Sequence, residues 1–591
     1  FAPSPTGGCH LGGIRTALFN YLFAKKHGGI FFMRIEDTDN KRFDSAAEDH
    51  IKAGLSWLGI TPDFETEKQS ERAAKGIYDI YVKQLIDSGH AYYAFDTAEE
   101  LSNARLLWKD LGHRGGYNHV VRMRMRNSLS LSSDEVQLLL KNNTPYTIRY
   151  KIEPGCSILV DDIIKGKCLF NSSEMDDKVL VKTNGIPTYH LANVVDDHLM
   201  EVSHVIRGDE WLTSASLHML LYKDLGWTAP LFAHLPLVLS PDGKEKLSKR
   251  NALKLGYTVF LTRYKGIDSD GEDIDIQGFA DMGYEPTAML NFLSLVGWHP
   301  SGEKEILTLD EIINEFSLEK CSKSGARFDF DKLNHFNFEY VKKIPNTELV
   351  PIEKFTKYSI ADFTQIANWT KERAPFRKDA SITWKPFVEA PIKDIALITK
   401  TLTTEAELVW KRFLRNSQEI EWTKNEIEKL LLSICDELKI KKGKTLPFLR
   451  TALTGGLPGP DLLESMERTP KDIRAKACFE ATEAHNLSIA KTQIVNPRYK
   501  SYERLINIEE KKKAKNLLLL NRIEKLERDL ESIKPTLKTY VNKANLIEKY
   551  KKQELKSAHI KNKSAQIKTH QEHNKHTAKT KEASLIEFHC L

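Results

Sequence analysis

The sequence predicts an α/β body followed by a helical half and a Lys-rich tail, and three observations carry that expectation. A mostly apolar stretch, residues 30–35, directly follows an amphipathic helix pattern, which marks a parallel α/β sheet. Strand and helix patterns alternate again between residues 179 and 239. From about residue 280 to 480 helical periodicity dominates. At 591 residues the chain exceeds one compact core, so several domains are expected.

In chain order, residues 1–8 hold two prolines and paired glycines and cannot be helical. Ile14, Ala17, Leu18, Tyr21 and Leu22 then make one helix face, which Gly28-Gly29 stops. The strand over 30–35 ends in Glu36-Asp37-Thr38-Asp39. Residues 44–95 read as mainly helical, with Asp44 as N-cap and Ala47, Ile51, Leu55 and Leu58 on one face. Residues 95–182 read as an insertion with short strands such as 146–152. Residues 179–182, the Asn184-Gly185 turn and 188–191 read as a hairpin. The segment 201–206, a helix over about 214–225 and a strand over 235–239 continue the α/β pattern. Leu517, Leu518, Leu519, Leu520, Ile523, Leu526 and Leu530 could form one amphipathic helix in the tail, with a polar arm beyond about residue 550.

With 41% hydrophobic and 28% charged residues, the composition is that of a globular protein, not a disordered chain. No apolar run reaches the roughly eighteen residues of a membrane span. Seven scattered cysteines with no C-x-x-C pair fit a reducing, cytoplasmic interior. The net charge of +6 is uneven: residues 491–591 hold 24 Lys+Arg against 12 Asp+Glu, and residues 1–490 hold 63 against 69. Bulk charge therefore does not mark the body as a nucleic-acid binder. The chain begins at Phe1, without an initiator methionine, and reads as a fragment or processed product.

Two segments carry chemistry. Pro3-Ser4-Pro5-Thr6-Gly7 leads to His10-Leu11-Gly12-Gly13 at a helix start. Such a turn is expected to offer free backbone N–H groups to phosphate, with His10 as an added donor. Far downstream, Lys246-Leu247-Ser248-Lys249-Arg250 follows the turn Ser240-Pro241-Asp242-Gly243 and could close on a triphosphate. Alone, the first reads as a Gly-rich loop and the second as a solvated basic loop. Together they fit an open sheet, where loops at strand carboxyl ends meet over one crevice.

Six ordered blocks over 250 residues make the sequence resemble a known family. They are Phe1-Ala-Pro-Ser-Pro-Thr-Gly7, His10-Leu-Gly-Gly13, Arg34-Ile-Glu-Asp-Thr-Asp39, Tyr189-His-Leu-Ala-Asn-Val-Val-Asp-Asp-His198, Arg207-Gly-Asp-Glu-Trp211 and Lys246-Leu-Ser-Lys-Arg250. The series resembles the bacterial-type glutamyl-tRNA synthetases, class I aminoacyl-tRNA synthetases. His10–Gly13 matches the "HIGH" motif and Lys246–Arg250 the "KMSKS" motif. Residues 288–298, 328–337 and Leu449-Arg-Thr-Ala-Leu-Thr-Gly455 extend the resemblance to about residue 480.

The resemblance implies a Rossmann-type catalytic domain with an inserted acceptor-end-binding module, then all-α anticodon-binding domains. The implied boundaries are 1–95 and 183–280 for the catalytic halves and 96–182 for the insertion. Residues 281–365 would contact the tRNA stem, 366–490 the anticodon, and 491–591 form a basic extension. The family's glutamate positions fall on Ala2, Ser4, Glu36, Tyr189, Asn193 and Arg207, with Arg207 expected to fork onto a carboxylate. Its ATP positions fall on Pro3, His10, Gly12, Glu210, Lys246, Leu247, Ser248, Lys249 and Arg250, of which His10, Lys246 and Lys249 would be catalytic. Arg34 reads equally as a pocket residue or as a strand arginine paired to a neighbouring acid, and Asp37 and Asp39 equally as turn-formers.

The implied reaction is ATP- and Mg²⁺-dependent activation of L-glutamate, followed by transfer to tRNA-Glu, with tRNA-Gln left open. Members of this family commonly need tRNA bound before activation. A monomer with no membrane partner is expected. The family's basic residue before the position of Phe1, and most of a first strand, precede this chain. Where some relatives carry a C-x-C zinc pair this sequence has Ala94 and Asp96, so no zinc is expected. Competing readings are a glutaminyl enzyme, the short anticodon-modifying paralogue, a non-catalytic tRNA-binding descendant and a metabolite nucleotidyltransferase. The tail reads as a solvated extension, with tRNA backbone contact as its alternative.

Overall fold

A computed structural model describes residues 1–39, 44–110, 116–248, 252, 257–267, 273–390, 394–417, 420–456, 459–474, 477, 480–481 and 483. The tail features read from the sequence lie outside the described residues. The first helix, Leu11–Lys26, buries Leu11, Ile14, Ala17, Leu18 and Leu22, the stripe expected from their spacing. It ends at His27, followed by Gly28 at φ 63°, a backbone region that side chains disfavour.

Residues 1–3 run parallel to residues 32–36. Phe1 N donates to the Phe32 carbonyl, Arg34 N to Phe1 and Glu36 N to Pro3, at 2.8, 2.9 and 3.0 Å. Of the strand expected over 30–35, only Phe32–Met33 pairs regularly, with Phe64–Glu65. Phe31 takes a backbone bond from Asp63 N at 2.7 Å and donates its own N–H to the Asp63 carboxylate. The helix Ser45–Trp57 starts where Asp44 accepts from Ala46 N, and it buries Ala47, Ile51 and Leu55.

An antiparallel sheet joins Ala91–Ala94, just before the expected insertion, to Thr147–Tyr150 and Val179–Val181 within it. A four-stranded sheet follows in the order Gly166–Asn171, Ser157–Asp162, Leu231–Leu235, His204–Gly208, with its last three strands parallel.

Three sequence expectations are corrected. Residues 188–191 are not a hairpin arm: Pro187 makes one bridge to Val181, then Thr188 begins the helix Tyr189–Leu199. Tyr189, Asn193 and Asp197 stand four residues apart, which places them on one helix face. The strand over 235–239 splits into Leu231–Leu235 and Val238–Leu239, because Pro236 between them has no N–H for a ladder. The stretch 201–206 pairs only from His204, since Glu201 turns the chain at φ 54°.

One hydrophobic core joins the first helix to Met289, Phe292, Trp298, Phe316 and Phe336, and a separate cluster runs from Val341 to Phe387. Beyond it the described residues are mainly helical, including Thr404–Asn416, Lys424–Leu438 and Leu446–Thr454. Among the described residues no helix is long and apolar enough to cross a membrane.

Candidate active site

The extended segments 1–3, 32–36, His204–Gly208 and Val238–Leu239 border one cleft of about 1390 Å³, which runs from His10 and Lys246 to Phe23 and Leu231. Of the sequence-derived positions, Ala2, Ser4, His10, Gly12, Glu36, Tyr189, Asn193, Arg207, Glu210, Lys246 and Leu247 line it. Pro3 lies buried behind it, its carbonyl bonded to Glu36 N. Ser248 is not among the lining residues, and Lys249 and Arg250 lie outside the described residues.

At one end Arg207 is held from several sides. Its Nε donates to His234 Nε2 at 3.1 Å, one terminal nitrogen to the Tyr189 hydroxyl at 2.7 Å, and the other to the Trp211 carbonyl at 3.2 Å. His218 Nδ1 lies 3.4 Å from the first terminal nitrogen. Those contacts occupy four of the five guanidinium N–H bonds. The two-pronged fork expected from the sequence is therefore not what Arg207 offers. It presents one N–H, and Tyr189, which accepts from Arg207, presents its own O–H beside it. Burial raises the Tyr189 phenol well above its ordinary range, so it stays a donor. Burial likewise lowers His218 well below its ordinary value and holds His190, 3.2 Å away, at about 4, so both rings back the site as neutral groups.

Along the same helix face from Tyr189, Arg34 is shared by two carboxylates, Asp197 at 2.8 Å and Glu36 at 3.2 Å. Asn193 Nδ2 donates to the same Glu36 oxygen at 2.7 Å. All four are buried. Burial works to lower Arg34, but Asp197 and Glu36 outweigh it and hold the guanidinium charged. Burial raises both carboxyls, with Arg34 opposing it. Two carboxyl groups face one guanidinium here, so the cluster suits a cationic ligand group. Of the two readings of Arg34, both hold: it pairs with acids and lines the pocket. Asp37 instead ties a loop, accepting from Ser70 N and Oγ.

The other end faces the first helix. His10 is its N-cap, and its Nδ1 accepts from Gly12 N at 3.0 Å, which leaves Nε2 as the protonated nitrogen of the neutral ring. A Cβ on Gly12 would come within 2.8 Å of His10 Cε1, so the ring's position needs a glycine there. The expectation of free N–H groups at this turn is not met. Leu11 N is bonded to the Val259 carbonyl, Gly12 N to His10 Nδ1 and Gly13 N to the His10 carbonyl. What remains for an anion is the helix dipole and the His10 ring.

Lys246 pairs with Glu210 at 2.9 Å, both a little over 40% exposed. Burial pushes Glu210 up, but Lys246 outweighs it and its carboxyl lies below the usual range. Leu247 is buried in the main core, so its backbone rather than its side chain can face a nucleotide.

Sequence reasoning missed several supporting groups. His50 clamps the turn before His10, its Nδ1 accepting from Cys9 N and its Nε2 lying 3.0 Å from the Thr262 carbonyl. Arg15 spans to the Pro236 and Val296 carbonyls, which ties the first helix to the strand before the Lys246 loop. Asp162 and His234 reach Arg207 from separate strands, and only their spatial proximity reveals them. Asp197 was legible, because it continues the Tyr189–Asn193 helix face.

Residues 1–335 match the model of the catalytic domain of tRNA synthetases class I (E and Q), and residues 339–473 match that of an anticodon binding domain. The chain is 43% identical over 496 residues to the glutamate–tRNA ligase of Cytophaga hutchinsonii, covering 80% of this chain and 95% of that protein. It is 50% identical over 363 residues to that of Porphyromonas gingivalis, covering 60% and 70%. The crystal structure of a glutamate tRNA ligase from Elizabethkingia meningosepticum, in complex with its amino acid, superposes with a TM-score of 0.73 at 40% identity, covering 82% of this chain and 98% of that one. With its cleft, its two signature segments and these relatives in agreement, the chain belongs to the glutamate–tRNA ligase family of class I tRNA synthetases.

Proposed function

We propose that this chain activates L-glutamate with ATP and transfers it to the 3′ end of tRNA-Glu. The observation that carries the reading is the charge pattern across the cleft. Arg207 with the Tyr189 hydroxyl suits the side-chain carboxylate, and the Glu36–Asn193–Arg34–Asp197 cluster suits the α-ammonium group. A ligand held by both ends leaves its α-carboxylate to meet the nucleotide.

The α-carboxylate oxygen attacks the α-phosphorus of ATP in line. An O–P bond forms, the bond to the β-phosphate oxygen breaks, and pyrophosphate leaves. No protein nucleophile is needed, so the residues act by positioning and by charge. His10 donates from Nε2 toward phosphate oxygen, while Lys246, Lys249 and Arg250 follow charge onto the leaving group. Mg²⁺ enters as the counter-ion of the triphosphate. A terminal ribose hydroxyl of tRNA then attacks the activated carbonyl and AMP leaves. The helical half would read the anticodon stem and loop, and the insertion the acceptor end.

Labelled glutamate, ATP and either tRNA-Glu or tRNA-Gln test the proposal. Acid-stable label on tRNA-Glu with release of AMP is expected. Label on neither tRNA would overturn it, and label on tRNA-Gln as well would widen its substrate range.

A further inference from the structure

Arg207, His234 and Asp162 stand in a row across three adjacent parallel strands. His234 is directly opposite Arg207 in the register, and Asp162 is opposite Phe232 on the next strand. Asp162 accepts from the N–H groups of Ile164, Lys165 and His234, and its second oxygen lies 2.6 Å from His234 Nδ1. That carboxylate, saturated with donors, can only accept, so His234 carries its proton on Nδ1. Nε2 is then left as the acceptor for Arg207 Nε. Asp162 and His234 are at most 2% exposed. Burial lowers His234, with Arg207 acting the same way against Asp162, which agrees with a neutral ring. Asp162 also holds the Ile164 and Lys165 N–H groups of its own turn, but the bond from Arg207 Nε to His234 ends at a residue that lines the cleft, so the relay reaches beyond that turn.

We propose that Asp162 and His234 are positioning residues for Arg207. Asp162 fixes the tautomer of His234, and His234 fixes the guanidinium plane so that its one remaining N–H meets substrate carboxylate beside the Tyr189 hydroxyl. The inference rests on the reading of Arg207 as the group that binds that carboxylate. It makes amino-acid affinity depend on a hydrogen-bond polarity set two strands away.

The test is ATP–pyrophosphate exchange on the full chain with tRNA present, reading the KM for glutamate against the KM for ATP. Four variants are compared: Arg207→Ala, Asp162→Asn, His234→Leu and His234→Gln. The asparagine must keep its oxygen toward the Ile164 and Lys165 N–H groups, which turns its amide N–H toward the ring and reverses the tautomer. Asp162→Asn and His234→Leu are expected to raise the glutamate KM by ~30- to 100-fold, with the ATP KM moved less than ~2-fold. His234→Gln can accept from Arg207 and donate to Asp162, and it is expected to raise the glutamate KM only ~3-fold. Equal effects of leucine and glutamine, or an ATP KM that rises with the glutamate KM, would overturn the proposal. If thermal melting shows His234→Leu unfolded, the contrast between Asp162→Asn and His234→Gln decides, and equal values overturn it. A glutamate KM unmoved in Arg207→Ala would sink the reading of Arg207 itself. A rise there without one in Asp162→Asn and His234→Leu would sink the positioning role alone.

Discussion

At the Arg207 and Arg34 end of the cleft the charged groups are buried and cross-bonded, whereas at the His10 end Lys246 is 44% exposed and held by its pair with Glu210. The difference is physical. An exposed ion pair contributes about 0–1 kcal/mol, so Lys246 can leave Glu210 for a phosphate at little cost. Arg207 cannot turn without breaking its bonds to the half-buried Tyr189 hydroxyl and the Trp211 carbonyl and leaving the buried His234 Nε2 without its donor. On the proposed reading, one end selects a small ligand by fixed geometry and the other follows charge as it moves during the reaction.

The largest expected effect comes from breaking the fixed end. Arg207→Ala removes the carboxylate's cation and strands its partners, so kcat/KM for glutamate should fall about 10³-fold, or ~4 kcal/mol. Steady-state exchange kinetics check it, and a loss below tenfold would contradict the comparison. Next, Gly12→Ala drives His10 from its cap through the 2.8 Å contact. The expected result is a fall of about 10²-fold in kcat with little change in the glutamate KM, because His10 acts only on the nucleotide side.

A third effect concerns pH. Burial holds His190 at about 4 instead of 6.5, so below pH 6.5 the unfolded chain binds a proton the folded chain refuses. Stability should therefore fall as pH drops from 7 to 5, by on the order of 2 kcal/mol from this group, with His218 acting in the same direction. Urea melts at the two pH values measure it, and His190→Gln should flatten the slope. The smallest effect tests the adjustable end. Glu210→Gln should change stability by less than about 0.5 kcal/mol, since it removes only an exposed pair. Its expected signature is instead a shift in the ATP KM of a few-fold, read from the same exchange kinetics.

Much of this site was legible in the sequence because its residues sit in contiguous blocks whose order the chain preserves. Tyr189, Asn193, Arg207, Glu36 and His10 meet in one cleft, as the blocks implied. The secondary structure beneath them was less legible. The four-residue spacing of Tyr189, Asn193 and Asp197 states a helix, but the Asn184-Gly185 turn before it read as the bend of a hairpin. Pro236 marks the break between two strands that apolar content alone merged. The relay through His234 and Asp162 had no local signal, since each residue lies on its own strand and sheet register alone brings them together. The saturation of the helix-start N–H groups was hidden for the same reason, because one acceptor is the distant Val259 carbonyl.

Comparing glutamate, glutamine and aspartate in ATP–pyrophosphate exchange with tRNA present tests the central claim most directly. An Arg207 N–H and the Tyr189 O–H that converge on a carboxylate at fixed reach should support exchange with glutamate and give at least ~10²-fold lower kcat/KM with the other two. Glutamine exchanging as well as glutamate, or no exchange with any of the three, would contradict it.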